Sequence, residues 1–203
     1  MAGRFVNPSV VTLPDGTQVP VRDVYGDRPL YSSALIGTAA TGDKYMYKYS
    51  LGDAVAGGNA TVTATEEHTN TIYNQGRMSD SDEMKVFSLA MELDAGVAAA
   101  TAIFFLDGIY LELWTGGGKA ALDGLLRHFP GGTGLYGFST KTDVEGVSNG
   151  MPDSNARYAF AVPITIEPNK DFWVKAKIPT AMNHGLADQL IRCVLRGPRI
   201  LAA

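Results

Sequence analysis

Between Arg157 and Arg196 apolar and polar side chains alternate with a period of two. Such a pattern suits an extended chain with one covered face and does not suit a helix, whose repeat is 3.6. Tyr158, Phe160, Val162, Ile164 and Ile166 fall on one face, and Ala159, Ala161, Thr165 and Glu167 on the other. Pro168-Asn169-Lys170 reads as a turn, because proline presets the backbone and asparagine tolerates unusual dihedrals. The chain then resumes with Phe172, Val174, Ala176 and Ile178 on one side and Trp173, Lys175 and Lys177 on the other, which predicts a β-hairpin. A third run sets Ile191, Cys193 and Leu195 opposite Arg192 and Arg196. Cys193 is the single cysteine, so no internal disulfide is available, and its apolar strand context predicts a small buried hydrophobe.

Upstream the pattern is looser. Pro8, Pro14, Pro20 and Pro29 recur at short intervals around an Asp15-Gly16 turn, which predicts an extended N-terminal arm over residues 1–35, lying on its own domain or on a neighbour, with a floppy terminus as the alternative. A single domain over 36–203 would follow. Lys44 to Leu51 reads as its first firm strand, with Tyr45, Tyr47, Tyr49 and Leu51 sharing a face. Thr61 to Ile72 reads as one polar strand or two short ones, and Met84 to Leu93 as a strand presenting Phe87, Leu89, Met91 and Leu93 together. Asp94 to Leu106 admits two readings. Asp94 and Gly108 could bound an alanine-rich helix, or Thr101–Leu106 and Ile109–Thr115 could be strands meeting at Asp107-Gly108; the strand-rich version is preferred. Lys119 to Phe129 suggests a short helix interrupted by Gly124, and 130–137 and 141–155 read as loops. The chain has 203 residues, 45% of them hydrophobic, enough to bury a sizeable core. About eight strands joined by Gly/Pro-rich loops predict an all-β protein: an antiparallel β-sandwich, specifically a single jelly roll, with an extended arm and at most one or two short helices.

The sequence offers no constellation that announces catalysis. His68, His128 and His184 are scattered outside any metal-ligand spacing, and no G-x-S-x-G elbow occurs. Trp114 to Ala120 (WTGGGKA) lacks the first glycine and the hydroxyl of a phosphate loop. Asp80, Asp82 and Glu83, with Ser79 and Ser81, form the one weak calcium candidate, at a spacing unlike the twelve-residue calcium loop. No enzyme activity, cofactor or resident metal is therefore expected. An enzyme on this scaffold would have to draw on Glu66, His68, Asp80 or Asp82. A net charge of −4 argues against a general grip on nucleic acid. The most apolar run, Ala95 to Leu106, falls short of the roughly 20 residues a transmembrane helix needs, and Met1 to Ser9 has no apolar leader core. The expectation is synthesis in the cytoplasm with no transmembrane segment. Tyr45, Tyr47 and Tyr49 beside Lys44 and Lys48 could stack bases or sugars, or form a strand at a subunit interface; the acidic total favours the interface. Trp114 and Trp173 join them as interface candidates, or as the aromatic grip of a carbohydrate-binding module.

Two stretches carry a resemblance. Ile109 to Gly137 (IYLELWTGGGKAALDGLLRHFPGGTGLYG) and Arg157 to Lys177 (RYAFAVPITIEPNKDFWVKAK) resemble jelly-roll coat proteins of tailless, often membrane-containing phages, over about half of the chain. In those proteins an arm precedes antiparallel strands, and an aromatic–Pro–Ile–x–Ile, turn, Phe–x–Val hairpin lies near the end, where this chain has Phe160 to Val174. The resemblance implies a virion structural protein that meets copies of itself and other virion proteins. Major coat proteins of that lineage often carry two jelly rolls, whereas this chain has room for one. A charged fraction of 19% suits large self-contacting surfaces, since each unpaired charge buried at an interface costs desolvation energy.

Overall fold

The computed structural model describes residues 10–20, 24–26, 29–55, 57, 61–71, 76–93, 99–116, 118–129, 158–183 and 188–201. They form β1 (Val10–Thr12), β2 (Gln18–Pro20), β3 (Val24–Gly26), β4 (Leu30–Ile36), β5 (Ala39–Met46), β6 (Asp82–Leu93), α1 (Ala99–Gly108), β7 (Tyr110–Thr115), β8 (Ala120–Leu125), β9 (Tyr158–Ile166), β10 (Phe172–Asn183), β11 (Gln189–Arg196) and β12 (Arg199–Leu201).

Four antiparallel pairs nest inside one another: β4 with β11, β5 with β10, β6 with β9, and β7 with β8. The chain from β4 to β11 is thus one long two-stranded ribbon whose tip is the β7–β8 connection. The ribbon doubles back on itself, because β11 also pairs with β6 and β10 with β7. This produces two antiparallel sheets, one of four strands in the order β5-β10-β7-β8 and one of six. In the larger sheet Ser88 lies between Arg196 and Ala159, and Met84 between Arg199 and Ile166. One edge of β6 is therefore shared by β11 and β12, and the other belongs to β9. Gly197 makes the step from β11 to β12, where a Cβ would collide with the Lys85 carbonyl oxygen. Pro198 O then accepts the Lys85 amide at 3.2 Å.

A single apolar layer joins the sheets. Leu30, Ile36, Met84, Val86, Leu89, Ile191, Cys193 and Leu195 face Met46, Leu111, Leu113, Phe172, Val174 and Ile178 across it. Each fully buried side chain of this size contributes roughly 1.5–3 kcal/mol. The expected antiparallel two-sheet β architecture, a β-sandwich, is present.

Several expectations need correction. β9 and β10 are not a hairpin: β9 pairs with β6 and β10 with β5 and β7, so the turn at Pro168–Lys170 is a corner between sheets. Asn169 takes the left-handed conformation there (φ 58°). Along β9, Ile166 is buried and Val162 is 76% exposed, so the alternation read from sequence does not translate into one covered face. In β6 the ladder to β9 shifts register between Val86 and Ser88. A bulge of this kind reverses the alternation beyond it. Met84 and Val86 reach the core before the shift, Leu89 and Met91 after it, and Phe87 turns outward onto Leu13, Val19 and Ile200. Residues 99–108 are helix, against the preferred strands, and Ala102 and Phe105 are its buried anchors. Asp94 lies outside the described residues. Residues 120–125 are strand, followed by a single 3₁₀ turn at Leu126–His128. Residues 61–71 contribute only isolated bridges, Ala54 with Thr63 and Ser32 with Thr69. The anticipated loops at 130–137 and 141–155 lie outside the described residues.

The boundary of the arm also moves. Leu30 to Ile36 pair along β11 inside the sheet, so the domain includes them and does not begin at residue 36. The described part of 1–29 docks on the domain. β1 and β2 form a hairpin whose Leu13 and Val19 pack against Ile200, and β3 pairs with β12.

Candidate functional site: the outer face of the four-stranded sheet

The side chains of β10 that point away from the core are Trp173, Lys175 and Lys177, as period-two geometry requires. Register sets their neighbours. Trp173 stands opposite Trp114, Lys175 between Tyr45 and Glu112, and Lys177 between Asp43 and Tyr110. Asp123 lies beyond Glu112 on β8. The two indoles stack with centroids 6.0 Å apart and planes 11° from parallel. Lys48 Nζ sits 4.1 Å from the Tyr45 ring centre and 4.4 Å from that of Trp173, within cation–π range.

Glu112 is the electrostatic centre of this face. Lys175 Nζ donates to its Oε2 at 2.6 Å, Lys177 Nζ lies 3.2 Å from Oε1, and Trp114 Nε1 donates to Oε2 at 2.9 Å. Burial pushes the Glu112 carboxyl up, but hydrogen bonds from Lys175, Trp114 and Lys177 outweigh it and hold the group below the usual carboxylate range. The Lys175 ammonium is raised in turn, chiefly by its hydrogen bond to Glu112. Lys175 also reaches Asp43 at 3.8 Å, and Tyr110 donates to Asp123 Oδ2 at 2.9 Å, which raises the Tyr110 phenol. The result is a flat surface of stacked rings and mutually paired charges. Covering such a surface costs less than covering unpaired charges, because each carboxylate here already has a cationic or hydroxyl partner.

The structure divides the sequence-derived candidates. Tyr45, Trp114 and Trp173 lie on this face. Tyr47 and Tyr49 do not, because β5 ends at Met46 and Tyr47 adopts a left-handed conformation (φ 71°) that breaks the alternation. Tyr47 drops into the main core, and Tyr49 packs in a small cluster with Leu35, Val55 and Ala64. Leu51, expected on the same face, is exposed. Glu112, Asp43, Tyr110 and Asp123 were missed. Their signal in the sequence is the alternation Tyr110-Glu112-Trp114; its pairing with Trp173-Lys175-Lys177 is a matter of register, which a single strand's sequence does not carry.

Asp80, Asp82 and Glu83 do not converge: Asp80 is exposed, Asp82 is buried, and Glu83 pairs with Lys85 at 3.1 Å. No group of three His, Cys, Asp or Glu residues able to hold a metal ion occurs among the described residues. His68 Nδ1 lies 2.9 Å from Thr65 Oγ1 within a turn, with no contact to Glu66 among the described interactions. His128 sits exposed in the 3₁₀ turn, and His184 lies outside the described residues. No helix among the described residues is long and apolar enough to cross a membrane. Compared with protein-family models, with curated proteins and with solved structures, the chain returns no match.

Proposed function

We propose that this protein is a single-jelly-roll coat protein of a virion, non-enzymatic, made in the host cytoplasm and assembling with copies of itself and with other virion proteins. The nested ribbon carries the reading. Eight strands in which the first pairs with the last, and so inward to a tip, rolled into two sheets, are what two Greek keys in a jelly roll require. Jelly rolls serve as capsid, lectin and cupin domains. The surface favours the first. Ile103 and Phe104 of α1 are 52% and 43% exposed, and the broad outer face of the four-stranded sheet has its charges paired internally. Large apolar and aromatic side chains with few unpaired charges are the composition of interface centres.

Negative-stain microscopy and light scattering of the purified protein test this. Regular particles, sheets or tubes are expected, and a monodisperse monomer at micromolar concentration in several salts would refute assembly. The second reading is a carbohydrate-binding module, favoured by the Trp114–Trp173 stack. It predicts that oligosaccharides change tryptophan fluorescence saturably and that Trp173→Ala abolishes the change.

A further inference from the structure

We propose that a hollow on the outer face of the six-stranded sheet binds a small monocarboxylate with an apolar body. The hollow lies opposite the Trp–Lys face and does not depend on the coat-protein reading. Its volume is about 500 Å³, within the range of small-molecule sites. One cross-strand row makes its floor: Arg196 on β11, Ser88 on β6 and Ala159 on β9. The small side chains of Ser88 and Ala159 give it depth. Pro14 from the N-terminal hairpin, Pro29, Phe87 and Phe160 supply apolar walls.

Arg196 is the only charged side chain among the described lining residues. It is half-buried, its Nε is buried with no hydrogen-bond partner, and no ion pair engages it among the described residues. Elsewhere on the sheets Arg192 pairs with Glu92, Lys85 with Glu83, and Lys175 and Lys177 with Glu112. A partly desolvated guanidinium that no described carboxylate engages gains most from a planar anion that accepts its forked hydrogen bonds. One positive charge matches one carboxylate. A phosphate dianion would leave a second charge uncompensated against proline and phenylalanine. The Ser88 hydroxyl, beside Arg196 on the floor, adds a neutral donor, and the walls take the ligand's hydrocarbon.

Octanoate is the probe, titrated by calorimetry into the intact protein, with octanamide as its uncharged counterpart. Saturable one-to-one binding is expected, weakened at least about tenfold by Arg196→Gln and by the amide. Ala159→Trp fills the hollow from an exposed position on β9, leaves the guanidinium in place, and should abolish binding with unchanged circular dichroism. A short peptide ending in a phenylalanine carboxylate separates two sources of the same chemistry: tighter binding than octanoate assigns the site to a chain terminus, and weaker binding assigns it to a free acid. Absence of saturable octanoate binding up to about 10 mM, which corresponds to less than about 3 kcal/mol of affinity, overturns the proposal. So does equal binding by octanamide, or undiminished binding by folded Arg196→Gln or Ala159→Trp protein.

Discussion

Tyr47 ties three strands together from one position. Its amide donates to Ser32 Oγ at 2.9 Å, its ring packs 5.3 Å from that of Phe172, and its hydroxyl lies 3.0 Å from Leu30 O and 2.8 Å from Cys193 O. One phenolic proton is shared between two buried carbonyls, so removing it leaves both short of a donor. Tyr47→Phe is expected to cost about 1–3 kcal/mol in urea unfolding with its m-value unchanged. The same burial raises the Tyr47 phenol well above its ordinary value, so it stays neutral. Its neighbour Cys193 is pushed up to about 12 by burial. A thiolate is the reactive form of cysteine, and almost none exists here at neutral pH. Iodoacetamide at pH 8 should leave the folded protein unmodified by mass spectrometry and alkylate Cys193 in urea; rapid labelling of native protein would contradict the burial.

Strands buried on one face and regular in alternation were legible in the sequence. β10 and β11 present the faces their sequences imply, since nothing in either interrupts the pleat between Phe172 and Ile178 or between Ile191 and Leu195. Elements with a local irregularity were misread. Tyr47 breaks the rhythm after β5 with a single left-handed residue that no glycine or proline marks; the β6 alternation reverses at Phe87, opposite surplus residues of β9 that include Pro163, a signal that lies on the partner strand and not on β6 itself. α1 was ambiguous because Ala99 to Leu106 is apolar without a clear period, and only the packing of Ala102 and Phe105 decides for helix. The Trp–Lys face was half legible. Its residues alternate visibly along each strand, but register between distant strands is a tertiary fact. A pH dependence follows from that register. Because the native Glu112 carboxyl titrates below its ordinary value of 4.5, its contribution to stability is complete above that value and is lost as pH falls through the native one. The gap in urea midpoint between wild type and Glu112→Gln should therefore be present at pH 7 and shrink toward pH 3. A gap that widens on acidification would mean that the lysines do not hold this carboxylate.

As a whole, the sandwich depends on strands far apart in sequence, and its outer surface is built from side chains the core does not need. Ile103 and Phe104 are the clearest case, projecting from α1 while Ala102 and Phe105 anchor it. The double substitution Ile103→Ser, Phe104→Ser should leave thermal unfolding within a few degrees of wild type, because exposed positions change stability little. It should also lower the apparent mass by light scattering if α1 lies at a subunit contact; unchanged mass would remove α1 from the assembly surface. The position of β11 has a temporal consequence. It fills the slot between β4 and β6, so β4 leaves the ribosome long before its partner exists. At ordinary rates of translation that interval is on the order of ten to thirty seconds. Throughout it the nascent chain carries an open β4 edge able to recruit the wrong neighbour. A holdase that shields residues 30–36 until β11 emerges is then expected to raise the yield of correctly closed subunits.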